Sequence, residues 1–109
     1  MTELRQRDPR QVDRAFLIFV RKQYCCICGA YPPVQAAHIR MASIARGKRE
    51  TGTGERPHDK WSVPACSECH LDNPVSIHKM GEKTFWDYVE LDPFQIASEL
   101  YTEFQKTRQ

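Results

Sequence analysis

Apolar residues along the chain alternate between two spacings. Val12, Ala15, Phe16, Phe19 and Val20 recur at helical spacing, with Arg10, Arg14, Arg21 and Lys22 largely off that stripe. Asp8-Pro9 stands in front of them. Aspartate accepts the orphan amides of a helix start, and proline supplies a preset φ where no amide is needed. A helix is therefore predicted over about 9–22. VQAAHIR and WSVPA read as short strands. Between them, from Met41 to Lys60, apolar residues thin out, leaving a long loop rich in glycine and basic residues. The C-terminal part is helical. Asn73-Pro74 and Asp92-Pro93 repeat the cap-plus-proline start, and Ile96, Ala97, Leu100, Tyr101 and Phe104 mark an amphipathic last helix. Thr84, Phe85, Trp86, Tyr88 and Val89 are expected to pack beneath it rather than to stack on bases.

A chain of 109 residues with 40% hydrophobic residues implies a single domain with a modest core. The longest apolar run, Ala15 to Val20, is far short of the roughly 20 residues of a membrane span. The segment MTELRQRDPRQ has no apolar run behind its arginines of the kind a secretion signal needs, so a cytoplasmic location is expected. Charge divides the chain. Residues 1–60 hold 12 Lys/Arg against 6 Asp/Glu, whereas 61–109 hold 4 against 8. The basic half suits a polyanion, and Arg40, Arg46, Lys48, Arg49, Arg56 and Lys60 are its candidate phosphate contacts.

In a reducing compartment five cysteines point to metal rather than to disulfides. Cys25-Cys26-Ile27-Cys28 and Cys66-Ser67-Glu68-Cys69 are two C-x-x-C pairs, each able to present two thiolates from a tight knuckle. Cys25, Cys28, Cys66 and Cys69 are thus the expected ligands of one structural zinc, with Cys26 left over as a free thiol. Such a site contributes on the order of 10 kcal/mol to folding, which a domain short of core requires. The four histidines, His38, His58, His70 and His78, all lie in or beside the segments this zinc would clamp.

With these motifs the chain resembles the HNH endonuclease superfamily. The residues that carry the resemblance are the C-x-x-C pair, Ala37-His38-Ile39-Arg40, the stretch Gly52 to Asp59, and Val63-Pro64-Ala65-Cys66 through Cys69-His70. It is more closely similar to small phage and prophage HNH proteins, including recombination-enhancement nucleases that work with RecA, which also carry a His-x-x-Gly-Glu-x-x-Phe-Trp stretch like His78 to Trp86. The resemblance covers about residues 24–101.

It implies an α+β fold: a small zinc-stabilised ββα-metal core over 24–80, an N-terminal helix within 1–23 and C-terminal helices over 81–109. It further implies a metal-dependent nuclease that hydrolyses DNA phosphodiesters, with His38 as general base and His70 on a catalytic divalent cation, Mg²⁺ or Mn²⁺. His78 would complete the metal site. RecA or another recombination protein would be the partner. Family members place Asp or His just before the base, whereas Ala37 stands here, and His58 or Asp59 could supply the missing ligand. Pro74 would clash with the carbonyl of His70 in a continuous helix, so His70 and His78 are expected on separate helical pieces. The alternative reading is a catalytically inactive, zinc-stabilised module that binds DNA or protein.

Overall fold

A computed structural model describes residues 10–52 and 54–108. The fold is α+β: two antiparallel strands and four α-helices among the described residues. In chain order the elements are α1 (Arg14–Arg21), β1 (Gln35–His38), β2 (Ser62–Ala65), α2 (Ile77–Met80), α3 (Glu82–Val89) and α4 (Pro93–Thr107). A 3-10 turn at Ile44–Arg46 interrupts the basic loop, and a π-helical turn at Glu68–Asp72 takes in Cys69, the last residue of the second cysteine pair.

The strands pair in the register Gln35 to Ala65, Ala36 to Pro64, Ala37 to Val63 and His38 to Ser62. Residues that face each other across an antiparallel pair share a face, so Ala37 and Val63 lie on one side, Ala36 and His38 on the other. The first side is the main core. There Ala37, Val63 and Ala65 join Ile39, Trp61, Ile77, Phe85, Trp86, Phe94 and Ala97. A second cluster, Phe16, Val20 and Phe104 with Phe19, Ala36, Leu100 and Tyr101 packed against it, closes the opposite side. Helix α4 takes part in both, because its 15 residues carry Phe94 and Ala97 near the start and Phe104 near the end.

Two helix starts differ from the sequence expectation. The Asp8-Pro9 start lies outside the described residues, and residues 10–13 are not helical. Helix α1 begins instead at Arg14, where the Asp13 carboxylate accepts the Phe16 amide at 3.1 Å. Residues 10–13 are drawn into hydrogen bonds with the loop at 57–60, a long-range pairing that a local pattern cannot signal. Val12, counted on the apolar stripe, is consequently 56% exposed. Asn73-Pro74 ends the π-helical turn rather than starting a helix, and Ser76 caps α2 by accepting the Lys79 amide. Asp92-Pro93 does start α4, its carboxylate taking the amides of Phe94 and Gln95. Gly81 joins α2 to α3 at φ +87°, a left-handed value that a side chain would strain.

Phe85 and Trp86 are core residues, as expected of the aromatic stripe, but Tyr88 is 66% exposed. No described helix is long and apolar enough to cross a membrane.

Asp13 both caps α1 and pairs with Arg108 at the end of α4, with 7% of its surface exposed. Asp13→Ala is expected to cost about 1–2 kcal/mol, the usual worth of an N-cap together with a partly exposed ion pair. Urea unfolding of the two proteins at one pH measures it.

Candidate metal and histidine site

The two knuckles meet at one point. The Sγ atoms of Cys25, Cys28, Cys66 and Cys69 all lie within 4.8 Å of one another, and Cys28 and Cys66 are 3.6 Å apart. Zinc with Zn–S bonds of about 2.3 Å sets tetrahedral S–S edges of about 3.8 Å, so the group is already near the size such a metal needs. Local backbone produces this. The Cys25 amide donates to Ala30 and the Gly29 amide to Cys25, closing the first knuckle, while the Cys26 amide donates to Pro64 and ties that knuckle to β2.

Four thiols this close cannot all ionise without a cation. Burial pushes the Cys25 thiol up, yet amide hydrogen bonds from Cys28, Cys66 and Ile27 bring it down to about 7. Burial and the neighbouring thiols push Cys69 the other way. The four cysteines can hold a metal such as zinc. Cys26 stands apart from the cluster, packs against the main core and is pushed up to about 12, first by burial and then by the charge of Cys25.

His38, at the end of β1, has its Nε2 3.0 Å from Asp59 Oδ1. Asp59 was expected near the cation, but it turns inward. It is 1% exposed, Oδ1 also accepts Arg10 at 2.6 Å, and Oδ2 accepts the Asp13 amide at 2.7 Å. Burial pushes the Asp59 carboxyl up, but the Asp13 amide, the His38 hydrogen bond and the charges of Arg10 and His38 together hold it below the ordinary carboxylate value. His58, the other stand-in for the missing ligand, receives the Gln11 amide on Nδ1 at 2.6 Å. Ala37 is 2% exposed inside the main core, so a carboxylate introduced there would be buried among apolar groups.

His70 and His78 do come together. They sit on separate pieces, the π-helical turn and α2, and their rings stack edge to face with centroids 4.9 Å apart. His70 Nδ1 lies 2.6 Å from Gln35 Oε1. An amide oxygen only accepts, so Nδ1 carries the hydrogen and Nε2 keeps its lone pair, as in imidazoles that bind metals. Burial, and then the charges of His78 and His38, hold His70 below its ordinary value and keep it neutral.

The six basic candidates divide by structure. Lys48 is 8% exposed, its ammonium donating to the carbonyls of Met41 and Arg49, and burial holds it below the ordinary lysine value. It closes the loop from inside instead of facing a phosphate. Arg40 donates to the carbonyls of Glu55 and Gly52, Arg49 pairs with the Glu55 carboxylate, and Arg46 reaches Gln95. Arg56 is exposed with no ion pair among the described residues, and Lys60 rests over the Trp61 ring at 5.6 Å. Both line a groove of about 420 Å³ with Arg46, Lys48, Arg49 and His58.

Residues 4–85 match a family described as protein of unknown function (DUF968). The chain belongs to that family. The matched stretch takes in both cysteine pairs, His38, Asp59, His70 and His78, and stops before α4. No curated protein and no solved structure matches the chain.

Arg10, Asp13 and Gln35 carry no motif, and sequence reasoning passed over their part in the site. Their only sequence signal is polarity beside apolar positions, which most surface residues share.

The purified protein is expected to hold one zinc per chain by elemental analysis. Cys66→Ala should abolish cooperative unfolding along with the zinc, whereas Cys26→Ala should keep both. Protein free of zinc yet fully folded would contradict this.

Proposed function

We propose that the protein is a metal-dependent DNA endonuclease of HNH type, with His38 as general base. The observation that carries the reading is the pairing of His38 with a buried carboxylate, 3.0 Å from Nε2. An ionised carboxylate accepts only, so Nε2 bears the hydrogen and Nδ1 keeps a lone pair. A neutral imidazole in that state takes a proton from water attacking a phosphodiester. The same arrangement, carboxylate on one nitrogen and base on the other, orients the ring in many hydrolases.

His70 and His78 would hold the divalent cation, whose bound charge stabilises the phosphorane oxygens and the leaving 3′ oxygen. Both are imidazoles, and imidazole nitrogen suits Zn²⁺ or Ni²⁺ better than Mg²⁺. Cys25, Cys28, Cys66 and Cys69 would bind a separate structural zinc, because a closed four-thiolate site has no position open to substrate. Two short antiparallel strands followed by helical pieces after Cys66 support a ββα-metal reading of these groups.

Arg56 and Lys60 flank His58 and Asp59 in the chain and have no carboxylate partner among the described residues, which suits them to phosphate. Arg46, Lys48 and Arg49 shape the loop that carries them.

One observation favours a second reading, a binding module without catalysis. Among the described residues, only the four cysteines gather three or more ligand atoms within 4.8 Å. The histidine pair has no third protein ligand at that distance.

Two measurements test these assignments. The protein is expected to nick supercoiled plasmid in a series of Mg²⁺, Mn²⁺, Ni²⁺ and Zn²⁺, and EDTA at low dose should stop the reaction before the fold is lost. His38→Ala should lower the rate at least about 100-fold while zinc content and circular dichroism stay unchanged. A His38→Ala protein as active as the parent overturns the assignment, and DNA binding without cleavage under every cation selects the binding module. In the second measurement, Arg56→Ala with Lys60→Ala should flatten the log–log salt dependence of duplex binding by about 1.8, the share of two phosphates. Lys48→Ala should lower the melting temperature instead.

A further inference from the structure

The segment before α1 lies against the site. The Gln11 amide donates to His58 Nδ1 at 2.6 Å, the Asp59 amide donates to the Gln11 carbonyl at 3.0 Å, and the Lys60 amide donates to Gln11 Oε1 at 3.0 Å. Arg10 completes the strap on the same stretch of loop: Nε donates to the Pro57 carbonyl at 3.0 Å and the terminal guanidinium nitrogen to Asp59 Oδ1 at 2.6 Å. That oxygen is also the one that His38 Nε2 meets.

We propose that Arg10 is a positioning residue, which holds the Asp59 carboxylate in place and through it keeps His38 in the Nε2–H tautomer with Nδ1 free to act as base. The inference rests on the reading of His38 as the base.

The physical case has three parts. A carboxylate with 1% exposure has no water to fix its orientation, so its donors decide where its oxygens point. Of those donors, the Asp13 amide holds Oδ2, leaving Oδ1 to Arg10 and His38. Next, the guanidinium is a planar fork, and here its two donors bridge the Pro57 carbonyl and the Asp59 side chain, pinning the carboxylate to its own loop. An ammonium carries donors too, but on one atom and without the fork's fixed spacing, so it reproduces the two bonds less well. Finally, an ionised carboxylate oxygen only accepts, so Asp59 Oδ1, held 3.0 Å from Nε2, fixes the hydrogen on that nitrogen and leaves the Nδ1 lone pair free. The side chain of Arg10 is itself only 28% exposed, which strengthens the pairing relative to a surface ion pair.

The test is read on the full zinc-loaded chain by ¹⁵N NMR of the His38 ring at about pH 8, where imidazoles are ordinarily neutral. The parent should show the Nε2–H tautomer alone. Arg10→Gln should show a mixture of the two tautomers, with plasmid cleavage down about 10- to 100-fold, DNA affinity within twofold, and zinc content unchanged. Arg10→Lys should recover only part of the loss. A purely structural role for Arg10 would lower the melting temperature without moving the tautomer, so an Arg10→Gln protein that keeps the pure Nε2–H form overturns the proposal. If Arg10→Gln loses its fold, Arg10→Met, which retains the aliphatic stem, is read by the same criterion. Failure of the nuclease reading is distinguishable. A parent that cuts no DNA, but whose His38 tautomer still depends on Arg10, would refute the catalytic role of His38 and leave the positioning by Arg10 standing.

Discussion

Two four-residue strands exchange too few hydrogen bonds to persist in water, so this sheet depends on what braces it. The braces act at both of its ends. At one end the knuckles of Cys25–Cys28 and Cys66–Cys69 meet; the first closes just ahead of β1, the second opens just behind β2, and the Cys26 amide is bonded to Pro64 in between. At the other end, where β1 finishes and β2 begins, Asp59 gathers His38, Arg10 and the Asp13 amide. The faces are then covered by apolar side chains from α1 and α4 on one side and from α2, α3 and α4 on the other.

In the proposed mechanism the second brace is also the reactive one. A carboxylate buried to 1% exposure is costly unless every lone pair is used, and here the donors that satisfy it include the one imidazole placed at the strand end. Stability and reactivity therefore draw on the same group. The histidine pair follows a similar logic on a smaller scale: Gln35 occupies one nitrogen of His70, and the other keeps its lone pair. Both arrangements set a tautomer by filling the nitrogen that is not needed.

The basic loop shows how charge can be spent on architecture. Lys48 turns inward to bond two carbonyls, and Arg40 bonds two more across the glycine stretch, so the long segment between the strands is tied down although it is nearly devoid of apolar residues. What remains outward, Arg56 and Lys60, sits beside the residues that hold His38. The outward positive charge of the loop is thereby concentrated near His38 rather than spread along the loop.

The sequence by itself determined the elements whose causes are local. The two C-x-x-C pairs announced the four-cysteine cluster, because ligand spacing within a knuckle is a property of three or four consecutive residues. Asp92-Pro93 marked the start of α4 for the same reason, and the strands around His38 and Val63 were legible from their short apolar runs between loop signals. The α+β class followed. Other features were settled only by tertiary structure. Residues 10–13 are claimed by the loop at 57–60, 46 or more positions away, so α1 starts only at Arg14, with Asp13 as its cap. Asp59 turns inward to His38 because Arg10 is there to meet it, and Lys48 is buried because two carbonyls of its own loop face it. Ala37 belongs to the core because the register with Val63 puts it on that face. Each of these depends on which distant groups are available to a polar side chain, and polarity in sequence does not say whether a side chain will find water, a phosphate or another part of its own chain.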